Sequence, residues 1–180
     1  MTPDVSINGL WLSSIGVTLV DRVIPPLPEA KEYSIELADR DGDISFGSSY
    51  GPRVLNLGLF ILGDYHRTVA RLAQVFNAKL GVLDLVFSDV PSKHYKVRYS
   101  GTISLDAASV NRQVDIPLKM NDPFPESDER VLETTITRTP QVVSVESQGD
   151  VRSKPIIVLT NIGTTTLQSL KIRNEYLMEG

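Results

Sequence analysis

The fold is decided by one stretch, Ala38–Leu62, which reads ADRDGDISFGSSYGPRVLNLGLFIL. It opens with an acidic turn, passes through a Gly/Ser-rich loop and ends in an apolar run. Leu55, Leu57, Leu59 and Ile61 recur at every second position, so as a β-strand they line one face of a sheet. Val54, Asn56, Gly58, Phe60 and Leu62 take the other face, where Phe60 and Leu62 imply partial cover by a neighbour. Asp64 follows at once as a helix N-cap, so strand, turn and helix come in quick succession.

Working outward, Asp64–Leu80 is the one expected helix. Tyr65, Val69, Leu72, Ala73, Phe76 and Leu80 form its apolar stripe, which packs on the leucine face of the preceding strand. Gly81 ends it in a left-handed conformation. Beyond it nearly everything reads as strand. Leu83, Leu85 and Phe87 alternate with polar or smaller partners, as do Tyr95, Val97 and Tyr99, then Ile103 and Leu105, then Val114, Ile116, Leu118 and Met120. Pro117 has no N–H to give a ladder, so its strand needs a free edge or a bulge there. Upstream, Asn8-Gly9 signals a tight hairpin between Val5–Ile7 and Leu10–Leu12. Val17, Leu19 and Val23/Ile24 make a further strand with a kink at Asp21 or Arg22. Pro25, Pro26 and Pro28 impose extended backbone, after which Tyr33, Ile35 and Leu37 read as a half-buried strand with one wet face.

Domain organisation follows from these runs. Residues 1–125 form a β-sandwich-like domain with the helix at 64–80. A charged piece, Glu126–Arg130, opens a linker over 126–135. Residues 136–180 read as a partial or shortened β-rich sandwich segment, its strand-like runs being Val131–Thr137, Gln141–Glu146, Pro155–Thr160 and Leu167–Arg173. The fold class is therefore mainly β with one α-helix.

Composition narrows the function. With 180 residues and 41% apolar content the chain can bury a sizeable core. A net charge of −4 leaves no cationic footprint for specific nucleic-acid binding. No apolar run approaches the length of a bilayer span, and the N-terminus, with an early acid and no basic region, does not read as a signal peptide. There is no cysteine, which excludes disulfides and thiolate metal sites.

Candidate chemistry is sparse. Asp39, Asp41 and Asp43 alternate as in a calcium loop, but counting from Asp39 places Ile44 where that loop needs glycine and Tyr50 where it needs glutamate. A solvated turn is the better reading. His66 and His94 lack the motifs that would supply a nucleophile or second metal ligand, so each reads as a surface or hydrogen-bonded histidine. Gly47–Gly51 lacks the spacing of a phosphate cradle and reads as a loop or hairpin arm. Trp11, Tyr95 and Tyr99 could offer a sugar-stacking platform, against packing roles in core or rim. No catalytic residue, cofactor or metal is expected, and the chain is not expected to be an enzyme.

One resemblance carries the reading further. Arg-Asp-Gly at Arg40–Gly42, Tyr-Gly-Pro-Arg at Tyr50–Arg53, a β-run and a helix occur in an order that resembles the distal tail proteins of long-tailed bacteriophages. SINGLWLSSIG at Ser6–Gly16 is similar to that family's opening. The Asp89–Tyr95 turn within GVLDLVFSDVPSKHYKVRYSG is similar to its paired strands, and the ordered set spans Ser6 to Pro123. The resemblance implies a structural subunit of a phage or prophage tail tip. It implies a homo-oligomer, a hexameric ring, joining the tail tube protein to a tail-associated lysin, fibre hub or receptor-binding protein. DNA would pass through its channel, with no membrane partner and with assembly in the host bacterial cytoplasm. Arg40, Phe46, Tyr50 and Arg53, all in the long loop, are the expected subunit-contact residues: two aromatics with little reason to face water and two guanidinium groups suited to a neighbour's carboxylates. The competing expectation is a monomeric carbohydrate-binding or adhesin-type β-sandwich.

Overall fold

The computed structural model describes residues 3–102, 112–146, 149 and 155–175. The chain divides into two units, Met1–Ile136 and Thr137–Gly180. Among the described residues of the first, nine strands run in the order β1 (Val5–Ile7), β2 (Leu10–Trp11), β3 (Val17–Val23), β4 (Ala30–Glu36), β5 (Asp43–Tyr50), β6 (Arg53–Ile61), β7 (Leu83–Phe87), β8 (Val90–Tyr99) and β9 (Gln113–Met120). The helix α1 (Tyr65–Val75) lies between β6 and β7. Seven strands form one antiparallel sheet in the order β2-β1-β7-β8-β9-β6-β3, and β4 pairs only with β5.

The leucine stripe of β6 does what its period requires. Leu55, Leu57, Leu59 and Ile61 are fully buried, while Val54 on the opposite face is exposed and Phe60 half-buried. They meet Val17 and Leu19 of β3, Val114, Ile116, Leu118 and Met120 of β9, and the inward side chains of β1, β7 and β8 in a single core. Each large side chain so buried contributes about 1.5–3 kcal/mol. β8 and β9 share only two register pairs, Arg98↔Lys119 and Tyr99↔Leu118. Pro117 stands where they part. Its carbonyl accepts from Ser100 N at 3.1 Å, so its nitrogen faces the same side, where the ladder is ending and no donor is required. Gly101 crosses that corner with φ +133°, and a Cβ there would lie 2.8 Å from the Pro117 ring.

Local signals at the domain's start also hold. Asn8 and Gly9 both take positive φ (50° and 81°), the geometry of a two-residue hairpin, and Ile7 pairs with Leu10. The kink in β3 is a bulge between Leu19 and Asp21. Asp64 caps α1, its carboxylate accepting from Arg67 N at 3.0 Å.

The structure changes the expectations for the helix end and for β4, and one further expectation falls outside it. The helix stops at Val75, not Leu80: Asn77 leaves the helical conformation and its side chain caps a new short 3₁₀ turn, Ala78–Leu80, through Lys79 N. Its inner face is accordingly Tyr65, Thr68, Val69, Leu72, Val75 and Phe76, and Ala73 and Leu80 are exposed. Gly81 closes the 3₁₀ turn with positive φ but extended ψ, outside the left-handed helical region. The strand containing Tyr33, Ile35 and Leu37 is not half-buried, because β4 is exposed along its whole length. The strand expected around Ile103 and Leu105 lies outside the described residues.

The four apolar runs from Val131 to Arg173 are in no hydrogen-bonded ladder. A strand needs a paired neighbour and a covering layer. The described residues of Thr137–Gly180 are exposed apart from the half-buried Gln141. A local turn is closed by Asn161, whose side chain accepts from Gly163 N and donates to Thr165 O.

Candidate assembly surface

The distinctive surface of the first unit is the β4–β5 hairpin, an arm that among the described residues pairs with no other strand. Prolines bracket it, with Pro25, Pro26 and Pro28 before β4 and Pro52 after β5, and their missing donors discourage either end from joining the main sheet. Gly51 N donates to Glu29 O at 2.7 Å and closes the base. At the far end a turn is held by Arg40 N on Leu37 O, with Asp39 and Gly42 at positive φ.

Ile35 lies opposite Ile44, so the two share a face, and Tyr33 stands on that face two residues earlier. The register shifts between Glu32 and Ser34, where β5 inserts an extra residue at Phe46–Gly47 and Gly47 takes φ +102°. No residue of the arm's strands is buried, and Phe46 is 70% exposed, Tyr33 54% and Ile35 48%.

Of the four residues expected to contact a neighbour, the structure leaves two on the open arm and draws two into its base. Phe46 and Arg40 are exposed. Tyr50 meets Phe124 edge-on at 5.6 Å but keeps about half its surface open. Arg53 is a correction: it is only 8% exposed and presents no fork to a neighbour. Its Nε donates to Pro25 O at 2.8 Å, its Nη2 to Pro25 O and to Pro26 O, and its Nη1 to Pro123 O at 3.2 Å. The reason lies in composition. A Pro-Pro segment carries carbonyls without N–H groups, and a guanidinium carries five donors and no acceptor. Arg53 thus fastens the chain where it enters the arm and again where it leaves β9. Sequence reasoning missed this role and the exposure of the arm's apolar face; the bracketing prolines were the available signal.

Polar clusters stand elsewhere on the unit. Arg22 forks onto Asp89 at 2.7 and 2.5 Å and lies 4.5 Å over the Phe87 ring. The Arg22 hydrogen bond holds the Asp89 carboxyl below its usual range. His94 gains a partner that the sequence did not show: Nδ1 is 2.9 Å from Asp84 Oδ2, and Nε2 is 3.3 Å from Asp128 Oδ1. Neither ring nitrogen meets a hydroxyl nucleophile in these contacts, and His66 is exposed on α1. The aromatic trio is split. Tyr95 packs edge-on against Phe87 in the core and Tyr99 lines the core's margin, while Trp11 stands 40% exposed on β2.

A solved structure shares this fold: the crystal structure of the SPP1 Dit (gp 19.1) protein, described as a paradigm of the hub adsorption apparatus in phages infecting Gram-positive bacteria. The similarity has a TM-score of 0.60 at 18% identity, and covers 71% of this chain and 53% of that one, so the chain spans about half that protein's length. No curated protein matches. The model of the phage tail protein RIFT-related domain family matches residues 11–120, from β2 to the end of β9. The resemblance to distal tail proteins read from motif order is thereby borne out, and the chain belongs to this family of phage tail proteins.

Proposed function

We propose that the chain is a distal tail subunit that closes into a ring, six copies in the arrangement the family resemblance implies, using the β4–β5 arm as its clasp. The ring joins the tail tube to the host-recognition apparatus at the virion's tail tip and leaves a channel for DNA. The hub role described for the SPP1 protein is the one we assign here. The partners are the tube protein on one side and a lysin, fibre hub or receptor-binding protein on the other, assembled in the host cytoplasm.

The exposed arm carries this reading. A lone two-stranded hairpin is marginal in water, and this one shows Tyr33, Ile35 and Phe46 to solvent. In a ring every copy offers one surface and receives a different one, and a projecting hairpin with apolar side chains supplies the first. Net charge supports the channel: a −4 subunit has little to gain from counterion release and so does not retain passing DNA. The function is mechanical, and we assign no catalytic step. The burial of Tyr95 counts against the glycan-stacking alternative.

The test is the double variant I35S/F46S, which leaves Tyr50 and Arg53 at the base intact. Circular dichroism should be unchanged while light scattering falls from ring to monomer. Rings of unchanged mass would exclude the arm as the clasp; a monomeric parent would exclude the ring.

A further inference from the structure

The segment that follows β9 is fastened to the domain at three successive points. Pro123 O is held by Arg53, Phe124 packs on Tyr50, and Glu126 bridges to His94 of β8 through both backbone bonds, His94 N to Glu126 O at 2.8 Å and Glu126 N to His94 O at 2.9 Å. The first two involve no group that titrates near neutrality. The third holds a histidine, which titrates in that range, and charged side chains surround it: Asp84 from β7, Lys96 from β8, and Glu126 and Asp128 from the segment itself. Lys96 Nζ is 3.1 Å from Asp84 Oδ1 and 3.9 Å from Glu126 Oε2.

We propose that His94 is a protonation-gated latch that fastens the segment leaving β9 to the edge of β8 when charged and releases it from Glu126 onward when neutral. The chemistry follows from which atoms can donate. The Asp84 carboxylate only accepts, so the Nδ1 it faces must carry a proton in either charge state. The second proton therefore sits on Nε2, toward Asp128. With it present, Nε2–H attracts the Asp128 carboxylate; without it, a lone pair faces a carboxylate oxygen at 3.3 Å and attraction turns to repulsion. Against burial, hydrogen bonds from His94 and Lys96 hold the Asp84 carboxyl below its usual range, so the change is confined to the Asp128 side.

The direction agrees with the surroundings. The hydrogen bond that His94 Nδ1–H donates to Asp84 raises His94 above the ordinary histidine value, burial opposes it, and Asp128 adds to the rise. Burial pushes Asp84 up, but hydrogen bonds from His94 and Lys96 and their charges outweigh it and leave its carboxyl lowered. A raised histidine contributes stability that is full below its unfolded value and is lost as pH climbs through the folded one. The latch is therefore closed below the ordinary histidine value and opens as pH climbs through the raised one.

Amide hydrogen exchange on the whole chain tests this, with each rate divided by the intrinsic rate at the same pH. From about pH 5.5 to about pH 8.5, spanning the histidine titration, protection at Glu126 should fall about two- to five-fold, the range for an exposed ion pair. Amides in β6 should hold theirs. In D128N the amide can accept from the charged ring and donate to the neutral one, so the fall should vanish while the fold is kept. H94Q should give flat protection as well. Glu126 protection that does not change with pH in the parent, or that falls equally in D128N, overturns the proposal. So does a His94 ring that titrates at or below the ordinary histidine value.

Discussion

Replacing Arg53 with methionine is the sharpest perturbation of the arm's base, because it keeps most of the aliphatic stem and deletes all the donors. Three carbonyls, of Pro25, Pro26 and Pro123, lose their partner together. A hydrogen bond to a charged group contributes about 1.5–3 kcal/mol, but the four bonds from one guanidinium are not additive. Water also enters the groove lined by Pro25, Leu27, Pro52 and Val54. The net expectation is a loss of about 3 kcal/mol, which lowers the melting temperature by about 6–12 °C in a chain of this size. Lysine in the same place is a point charge that serves one or two carbonyls, so R53K should lose roughly half as much. Urea unfolding followed by circular dichroism measures the loss. Exchange of the Gly51 amide, bonded to Glu29 O at the base, reports whether it is local. An R53M variant within about 0.5 kcal/mol of the parent, the spread of ordinary surface changes, would refute the assignment of Arg53 as the fastening residue.

Two further outcomes follow from the packing. Gly101→Ala should cost about 2 kcal/mol, since φ +133° strains any other residue and the new Cβ meets the Pro117 ring at 2.8 Å; adding Pro117→Ala should restore the steric part alone, and thermal melts of the two variants separate the terms. A fragment of residues 137–180 should show no cooperative melting transition, because its described residues are almost wholly exposed; a sharp calorimetric peak would contradict this.

What could be read from sequence was what depends on near neighbours. The Leu55–Ile61 alternation, the Asn8-Gly9 turn and the Asp64 cap are each complete within a few residues, and each formed as expected. The helix end was missed because its stripe continues in register past Asn77, and only the cap that Asn77 forms on Lys79 N reveals the break. Arg53 and His94 were illegible for a different reason. Their partners lie far along the chain, Pro123 from Arg53 and Asp128 from His94, so only the closed sheet brings them together. For the arm, alternation at Tyr33, Ile35 and Leu37 correctly implied a strand, yet alternation cannot tell whether the apolar face meets its own core or waits for another molecule.

The central claim is that copies of this chain join through the arm into a closed ring. Native mass spectrometry of the purified full chain tests it most directly. The account predicts one dominant species at a fixed integer multiple of the subunit mass, reduced to monomer by I35S/F46S. A parent that stays monomeric at every concentration tested, or a multimer whose mass the arm variant leaves untouched, would contradict it.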